Sequence, residues 1–78
     1  MIHVRLQSVL AERSLSGKEQ YDVVFEEGLR AVDLMLREGF RGEDQTAIGV
    51  LINDEQANRE TPLSDGDRLE LMMNMAGG

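Results

Sequence analysis

The sequence closes on Met72-Met73-Asn74-Met75-Ala76-Gly77-Gly78, and a backbone carboxylate presented on two glycines is the group here best suited to chemistry. Glycine makes up roughly 7% of ordinary residues, so a terminal pair arises by chance in about one chain in two hundred. Without Cβ atoms, Gly77 and Gly78 reach backbone angles closed to other residues and can thread a narrow active-site channel, and Ala76 before them adds only a methyl group. An α-carboxylate with a pKa of about 3.5 is ionised at neutral pH and is a poor acyl donor, because its charge repels nucleophiles and it lacks a leaving group. Transfer of AMP from ATP would make an acyl-adenylate at Gly78, and attack by a sulfur donor would then leave a terminal thiocarboxylate. ATP and the catalytic groups would belong to a partner enzyme, with no cofactor bound by this chain. The plain alternative is a frayed, functionless end, which is common at termini.

Other devices lack parts. The chain has no Cys and a single His, which removes disulfides, thiolate metal sites and a cysteine persulfide. His3 shares parity with Arg5, reads as surface, and has no second ligand near it in sequence, so no metal site is expected. Ser14, Ser16 and Ser64 have no His-acid system around them, and the acid pairs Glu26-Glu27, Glu43-Asp44 and Asp54-Glu55 read as solvated loop and helix-start residues. The chain is therefore expected to be a protein substrate and not an enzyme. Met72, Met73 and Met75 flank the terminal segment, and methionine adapts to surfaces that meet more than one partner. Met72, in parity with Arg68 and Glu70, is expected to face outward and contact a partner. Met73 either does the same or completes the core beside Leu69 and Leu71, and Leu51, opposite in parity to Val50 and Ile52, joins the partner patch or the core.

Size and charge bound the rest. Seventy-eight residues with 41% hydrophobic content suit one compact domain spanning 1–78, too small for a deep cleft. A net charge of −7, from 15 acidic and 8 basic residues, disfavours phosphate backbones and eases contact with an electropositive protein surface, so nucleic acid is not an expected partner. No stretch approaches the ~18 apolar residues of a membrane span and the N-terminus lacks a secretion-signal layout, which leads to expecting a cytoplasmic protein with no membrane partner.

The elements that would position the terminus follow from periodicity. Ile2-His3-Val4-Arg5-Leu6 alternates like a half-buried strand. Residues 7–20 carry turn formers among Val9, Leu10 and Leu15 and read as an anchored turn or short helix. Tyr21, Val23 and Phe25 alternate in a second strand antiparallel to the first. Between 29 and 40 the spacing of Leu29, Val32, Leu36 and Phe40 predicts an amphipathic helix with Glu26 and Glu27 at its start and Gly39 at its end. Ile48-Gly49-Val50-Leu51-Ile52 predicts a strand placed centrally, covered by the helix on one face. A turn at 53–55, a short edge strand within 56–59, a break at Thr61-Pro62, a turn at 65–67 and a last strand at Arg68-Leu69-Glu70-Leu71 follow. The main order is ββαββ, the class is α+β, and a mixed sheet with one main helix across one face is the simplest packing. Residues 72–78 are expected to form a flexible tail.

The stretch Pro62-Leu63-Ser64-Asp65-Gly66-Asp67-Arg68-Leu69-Glu70-Leu71, with the short run to Gly77-Gly78, resembles the turn, last strand and diglycine end of the ThiS/MoaD family of ubiquitin-like sulfur carriers. Ile52-Asn53-Asp54-Glu55 is similar to the family's strand-to-turn segment, with Asp54 where a glycine often stands, and Val32-Asp33-Leu34 is compatible with its helix. One departure is that many members carry proline where this chain has Met73 and Asn74. The resemblance covers essentially the whole chain. It implies a β-grasp fold, adenylation of Gly78 by a ubiquitin-activating-like adenylyltransferase, loading from a sulfur donor enzyme, and delivery to a synthase large subunit or another acceptor enzyme. Molybdopterin-type service is preferred over thiamin-type because of the longer 7–20 region, which would make the chain a synthase small subunit. A ubiquitin-like modifier joined to lysines through Gly78, and a noncatalytic β-grasp interaction domain, are the alternatives.

Overall fold

Alternation along the strands sorts the residues onto two faces of a sheet. The computed structural model describes residues 1–74, with elements β1 (Ile2–Leu6), α1 (Ser8–Arg13), β2 (Gln20–Val23), α2 (Ala31–Arg37), α3 (Glu43–Thr46), β3 (Ile48–Ile52), β4 (Glu55–Ala57) and β5 (Arg68–Met73). The strands form one mixed sheet in the order β2-β1-β5-β3-β4. β1 and β5 run parallel, with Val4 opposite Leu69 and Leu6 opposite Leu71, and the other pairings are antiparallel. The middle of the sheet therefore belongs to β5, not β3, which lies one place in from the β4 edge. One main helix covers one face, in the β-grasp arrangement that the resemblance implies.

The core is the inward half of each alternation. Ile2, Val4 and Leu6 of β1, Ile48 and Val50 of β3, and Leu69 and Leu71 of β5 are buried together with Leu10, Leu29, Leu34, Met35, Phe40 and Leu63. Each such side chain removed from water stabilises the fold by about 1.5–3 kcal/mol. The 7–20 connection resolves into α1, whose Leu10 and Ala11 are buried, followed by a loop.

The helix differs from its periodic reading. α2 has seven residues, and Leu29 and Phe40 are buried outside it. Its buried residues are Ala31, Val32, Leu34 and Met35, followed by Glu38, while Leu36 is 45% exposed. Apolar residues occupy almost every position from Ala31 to Leu36, so two stripes compete on a short helix, and the i, i+3, i+4, i+7 set that meets the sheet ends on a carboxylate that hydrophobic counting skips. Glu26 and Glu27 do not begin the helix; the acid in its first turn is Asp33, whose carboxylate accepts the Arg30 N–H at 2.8 Å. The C-terminal end closes as expected at Gly39, with φ of +87°. Gly39 N–H donates to Leu36 O at 3.0 Å and Phe40 N–H to Met35 O at 2.9 Å, a Schellman closure that a Cβ at Gly39 would strain.

Glu38 is 3% exposed and is the buried charged residue among those described. Its two carboxylate oxygens accept the Ser16 N–H at 2.9 Å and the Ser16 hydroxyl at 2.8 Å, which ties the α1–β2 loop to the end of α2. Beside it, half-buried Tyr21 has its phenol pKa pushed well above the ordinary 10.0, first by burial and then by its hydrogen bond to Glu38 and that residue's negative charge. The second strand stops at Val23, short of Phe25, and Val24 is 67% exposed.

Glu38→Ala should lower unfolding free energy by about 1–3 kcal/mol, because hydrogen bonds to a charged acceptor are lost; urea titration reads this, and an unchanged midpoint would contradict it. Tyr21 is the single tyrosine, so ultraviolet titration of the phenolate reports it alone, and its midpoint should lie above 10.0. Because the folded pKa is raised, the associated stability is complete below pH 10 and is lost as pH climbs from there through the folded value; Tyr21→Phe should flatten that alkaline slope.

Candidate functional site

The last described residues leave the sheet from its middle strand and are held from both sides. On the β1 side, Gln7 N–H donates to Leu71 O at 2.9 Å, and Met73 N–H donates to the Gln7 side-chain Oε1 at 2.8 Å. On the β3 side, Asn74 N–H donates to Ala47 O at 2.7 Å. Backbone position is thus fixed up to Asn74. Met72 and Met73 belong to β5, so the expected tail loses its first two residues to the sheet. Met75, Ala76, Gly77 and Gly78 lie outside the described residues. Residues 75–78 span at most about 14 Å when extended, so any active site that takes Gly78 comes within that distance of Asn74.

The three candidate contact residues that are described separate onto two faces. Met73 pairs with Ile48, is half-buried and packs against the core, lining a small cleft with Leu10, Phe40 and Ile48. Met73 is therefore a core residue, with the same inward parity as Leu69 and Leu71. Met72 is half-buried on the outer face opposite Gly49, and Leu51 lies on that face opposite Glu70. Leu51, Met72 and Gly49 make an apolar floor that continues to Asn74.

The rest of the outer face is charged. His3 Nδ1 meets Asp22 Oδ1 at 2.8 Å across β1 and β2, so His3 is a paired surface residue. Arg68 Nη2 donates to Asp54 Oδ2 at 3.0 Å. Asn53 and Asp54 form a two-residue hairpin turn with φ of 53° and 69°, the left-handed geometry that a β3–β4 hairpin with right-handed twist needs. Asn53 repays the strain with its side chain, which donates to Asp67 Oδ1 at 2.8 Å and accepts the Arg68 N–H at 3.0 Å. This clamp sets where β5 begins as Gln7 and Ala47 set where it leaves. Gln7 and Ala47 carry no sequence signal for that role, since it exists only once β1, β3 and β5 are neighbours. Among the described residues, no group of three or more acids and histidines is placed to hold a metal ion, and no helix is long and apolar enough to cross a membrane.

A mixed five-stranded sheet with its C-terminal strand in the middle and one main helix across one face defines a ubiquitin-like β-grasp protein. The ThiS family profile matches residues 10–78, and the chain belongs to the ThiS family. The structure is similar to that of SAMP1 from Haloferax volcanii, at 25% identity and a TM-score of 0.72, covering 99% of this chain and 98% of that one. It also resembles a Pyrococcus furiosus chain described as a putative molybdopterin converting factor, subunit 1, at 20% identity and a TM-score of 0.68 over 95% of this chain and 97% of that one. A third neighbour is found in the Amycolatopsis orientalis BexX/CysO complex, at 22% identity and a TM-score of 0.66 over the full length of both chains. The comparison with curated proteins returned no match.

The two methionines should separate in a stability measurement. Met73→Ala removes core contacts and should cost about 1–3 kcal/mol, whereas Met72→Ala, on the outer face, should cost less than about 1 kcal/mol; equal shifts in chemical denaturation would contradict the assignment of faces.

Proposed function

We propose that this chain is a cytoplasmic sulfur carrier that works through the backbone carboxylate of Gly78. The carrying observation is that the family match runs through Gly78 and joins it to a strand whose exit is fixed on both sides at Met73 and Asn74. A fixed exit four residues before Gly78 suits delivery of a carboxylate into another protein's active site, since the position of Asn74 bounds the reach of Gly78 to about 14 Å.

In this reading a ubiquitin-activating-like adenylyltransferase binds ATP. A Gly78 carboxylate oxygen attacks the α-phosphorus, pyrophosphate leaves, and the acyl-adenylate replaces a charged, unreactive carboxylate with a carbonyl bearing a good leaving group. A sulfur donor enzyme releases sulfur at the sulfide level, and hydrosulfide adds at that carbonyl; the C–O bond to AMP breaks, AMP leaves with the electron pair, and a proton goes to solvent, leaving the thiocarboxylate. The loaded chain then docks on an acceptor, and the thiocarboxylate sulfur attacks the acceptor's substrate. Molybdopterin-type service is preferred over thiamin-type because of the longer 7–20 region, with this chain as the small subunit beside a synthase large subunit; the Pyrococcus furiosus neighbour shares the fold. The CysO neighbour, solved in a complex with BexX, supports a docked protein partner. ATP is consumed on the activating enzyme, and this chain holds no cofactor. Ala76, Gly77 and Gly78 form the part that threads the active site, with Met75 at its entrance and Met72 and Leu51 contacting the partner.

A second reading, a modifier joined to target lysines through the same activated Gly78, is favoured by the likeness to SAMP1, a chain also described as a small archaeal modifier protein. Both readings share the adenylate and divide at the nucleophile. Intact-mass analysis after incubation with the activating enzyme, ATP and a sulfur source separates them. A gain equal to one oxygen replaced by sulfur, absent when Gly78 is deleted, is the expected result; isopeptide-linked adducts without that gain would move the assignment to the modifier, and no change of either kind would remove both.

A further inference from the structure

β2 is an edge of the sheet, and no strand among the described residues pairs with its outer side. Its register with β1 decides which backbone groups are left over. Leu6 N–H donates to Glu19 O at 2.7 Å, and Val4 lies opposite Tyr21 and Ile2 opposite Val23. Bonded pairs alternate along an antiparallel ladder, so Tyr21 and Val23 exchange hydrogen bonds with β1, while the N–H and C=O of Gln20, Asp22 and Val24 point away from it. The residues alternate as a strand through Phe25, yet β2 stops at Val23 because its pairing with β1 ends at Ile2. Val24 is 67% exposed and Phe25 half-buried, two β-forming residues with no neighbouring strand among those described. The opposite edge differs. β4 has three residues, of which Glu55 and Gln56 are exposed, the short and polar form in which edges are commonly blunted. β2 contains neither lysine nor proline and runs on into Val24 and Phe25.

Beyond Phe25 the chain turns into a cleft of about 320 Å³ between residues 26–29 and α2, with Leu36, 45% exposed, as an apolar wall. Its charged groups are Glu26, Glu27, Asp33 and Arg37. Asp33 is engaged by the Arg30 N–H and guanidinium, and among the described residues Glu26, Glu27 and Arg37 form no ion pair. Two free carboxylates against one guanidinium leave the cleft negative. An unpaired strand edge that runs into such a cleft fits an extended segment with aliphatic side chains and a basic one at its end, the backbone supplying hydrogen bonds and the cleft the selectivity. A second copy of this chain fits badly, since two β2 edges joined about a two-fold axis would set acid beside acid on chains of net charge −7.

We infer that the β2 edge from Gln20 to Val24 is a docking site for a partner protein, which adds an extended aliphatic segment as a sixth strand and places a lysine or arginine of that segment in the cleft beside Glu26 and Glu27. The site is remote from the terminus. β2 lies two strands from β5, and Val23 is level with Ile2, at the end of β1 opposite to Leu6, which is level with Leu71 near the exit of β5; five strand residues separate the two ends by about 16 Å. A partner held at β2 therefore leaves Gly78 free to enter an enzyme. The site stands independently of the carrier reading and, where that reading holds, gives a second protein a grip on the chain during activation.

The test is titration of the isotope-labelled full chain with an acetylated and amidated peptide, Lys-Val-Thr-Val-Thr-Val-Lys, read by amide chemical shifts and hydrogen exchange, against the same peptide with glutamate for both lysines. The basic peptide should slow exchange at the Gln20, Asp22 and Val24 amides by about tenfold or more at saturation and bind about tenfold or more tighter than the acidic one. Val24→Pro removes an outward N–H and no bond to β1, so binding should weaken by about fivefold or more with an unchanged melting temperature. The double charge reversal Glu26→Lys with Glu27→Lys, on exposed side chains, should invert the preference between the peptides, and it decides the matter if Val24→Pro melts early. Protection confined to other amides, equal affinity for the two peptides, or no shift at millimolar peptide would overturn the site. Loss of binding on deletion of Gly78 would move the contact to the terminus, and a wild-type dimer in sedimentation that Val24→Pro abolishes would give the edge to a second copy; either result overturns it as well. None of these outcomes bears on thiocarboxylate formation, which intact mass reads separately.

Discussion

β5 pairs with β1 on one side and β3 on the other, and its inward residues Leu69 and Leu71 are 1% and 0% exposed. The first and last strands of the chain thereby become neighbours. A parallel pair cannot be joined by a tight turn, and here nearly the whole chain lies between its members. Everything between them, the β2 return, α2 across one face and the β3–β4 hairpin, completes a sheet whose middle is closed last in sequence. The same pairing aims the C-terminal end, because a central strand is hydrogen-bonded on both edges until it runs out.

That double hold explains how a protein with little enclosed volume can still be exact about one group. Gln7 reaches β5 from the end of β1, and Ala47 reaches it from the start of β3. The chain therefore leaves the sheet at a defined place, and the chemistry proposed for Gly78 asks of this domain only that the carboxylate be delivered. Glu38 serves the same end further away. By binding Ser16 through both oxygens, it fixes the loop between α1 and β2, and so holds α1 where Gln7 begins it.

The outer face divides into parts with different physics. Toward β2 it is charged and self-paired through His3 and Asp22, and such exposed pairs add little to stability. Toward the exit of β5 it is apolar and open, with Gly49 between Leu51 and Met72. A net charge of −7 sets a long-range preference for electropositive partners, while the apolar end next to Asn74 offers short-range contact.

The strands, the hairpin turn, the glycine that closes α2 and the diglycine end were all legible in the sequence, because each depends on local chemistry: alternation every second residue, a turn residue at a turn, a missing Cβ. The class of fold followed from summing those faces. Local chemistry failed where two answers were locally equal. Leu36 fitted the apolar spacing as well as Leu34 and Met35, and only contact with the sheet left it exposed and placed the Glu38 carboxylate inside. Parity placed Met72 outward with Arg68 and Glu70, as the structure has it, but whether Met73 joined Leu69 and Leu71 in the core depended on β5 running on to pair with Ile48. The exchange of β3 for β5 at the centre of the sheet, and the roles of Gln7 and Ala47, had no local signal at all, because they arise from strands distant in sequence becoming neighbours. The sequence by itself determined what each segment could become; the tertiary structure decided which faces met, since burial is a property of pairs of elements and not of any one of them.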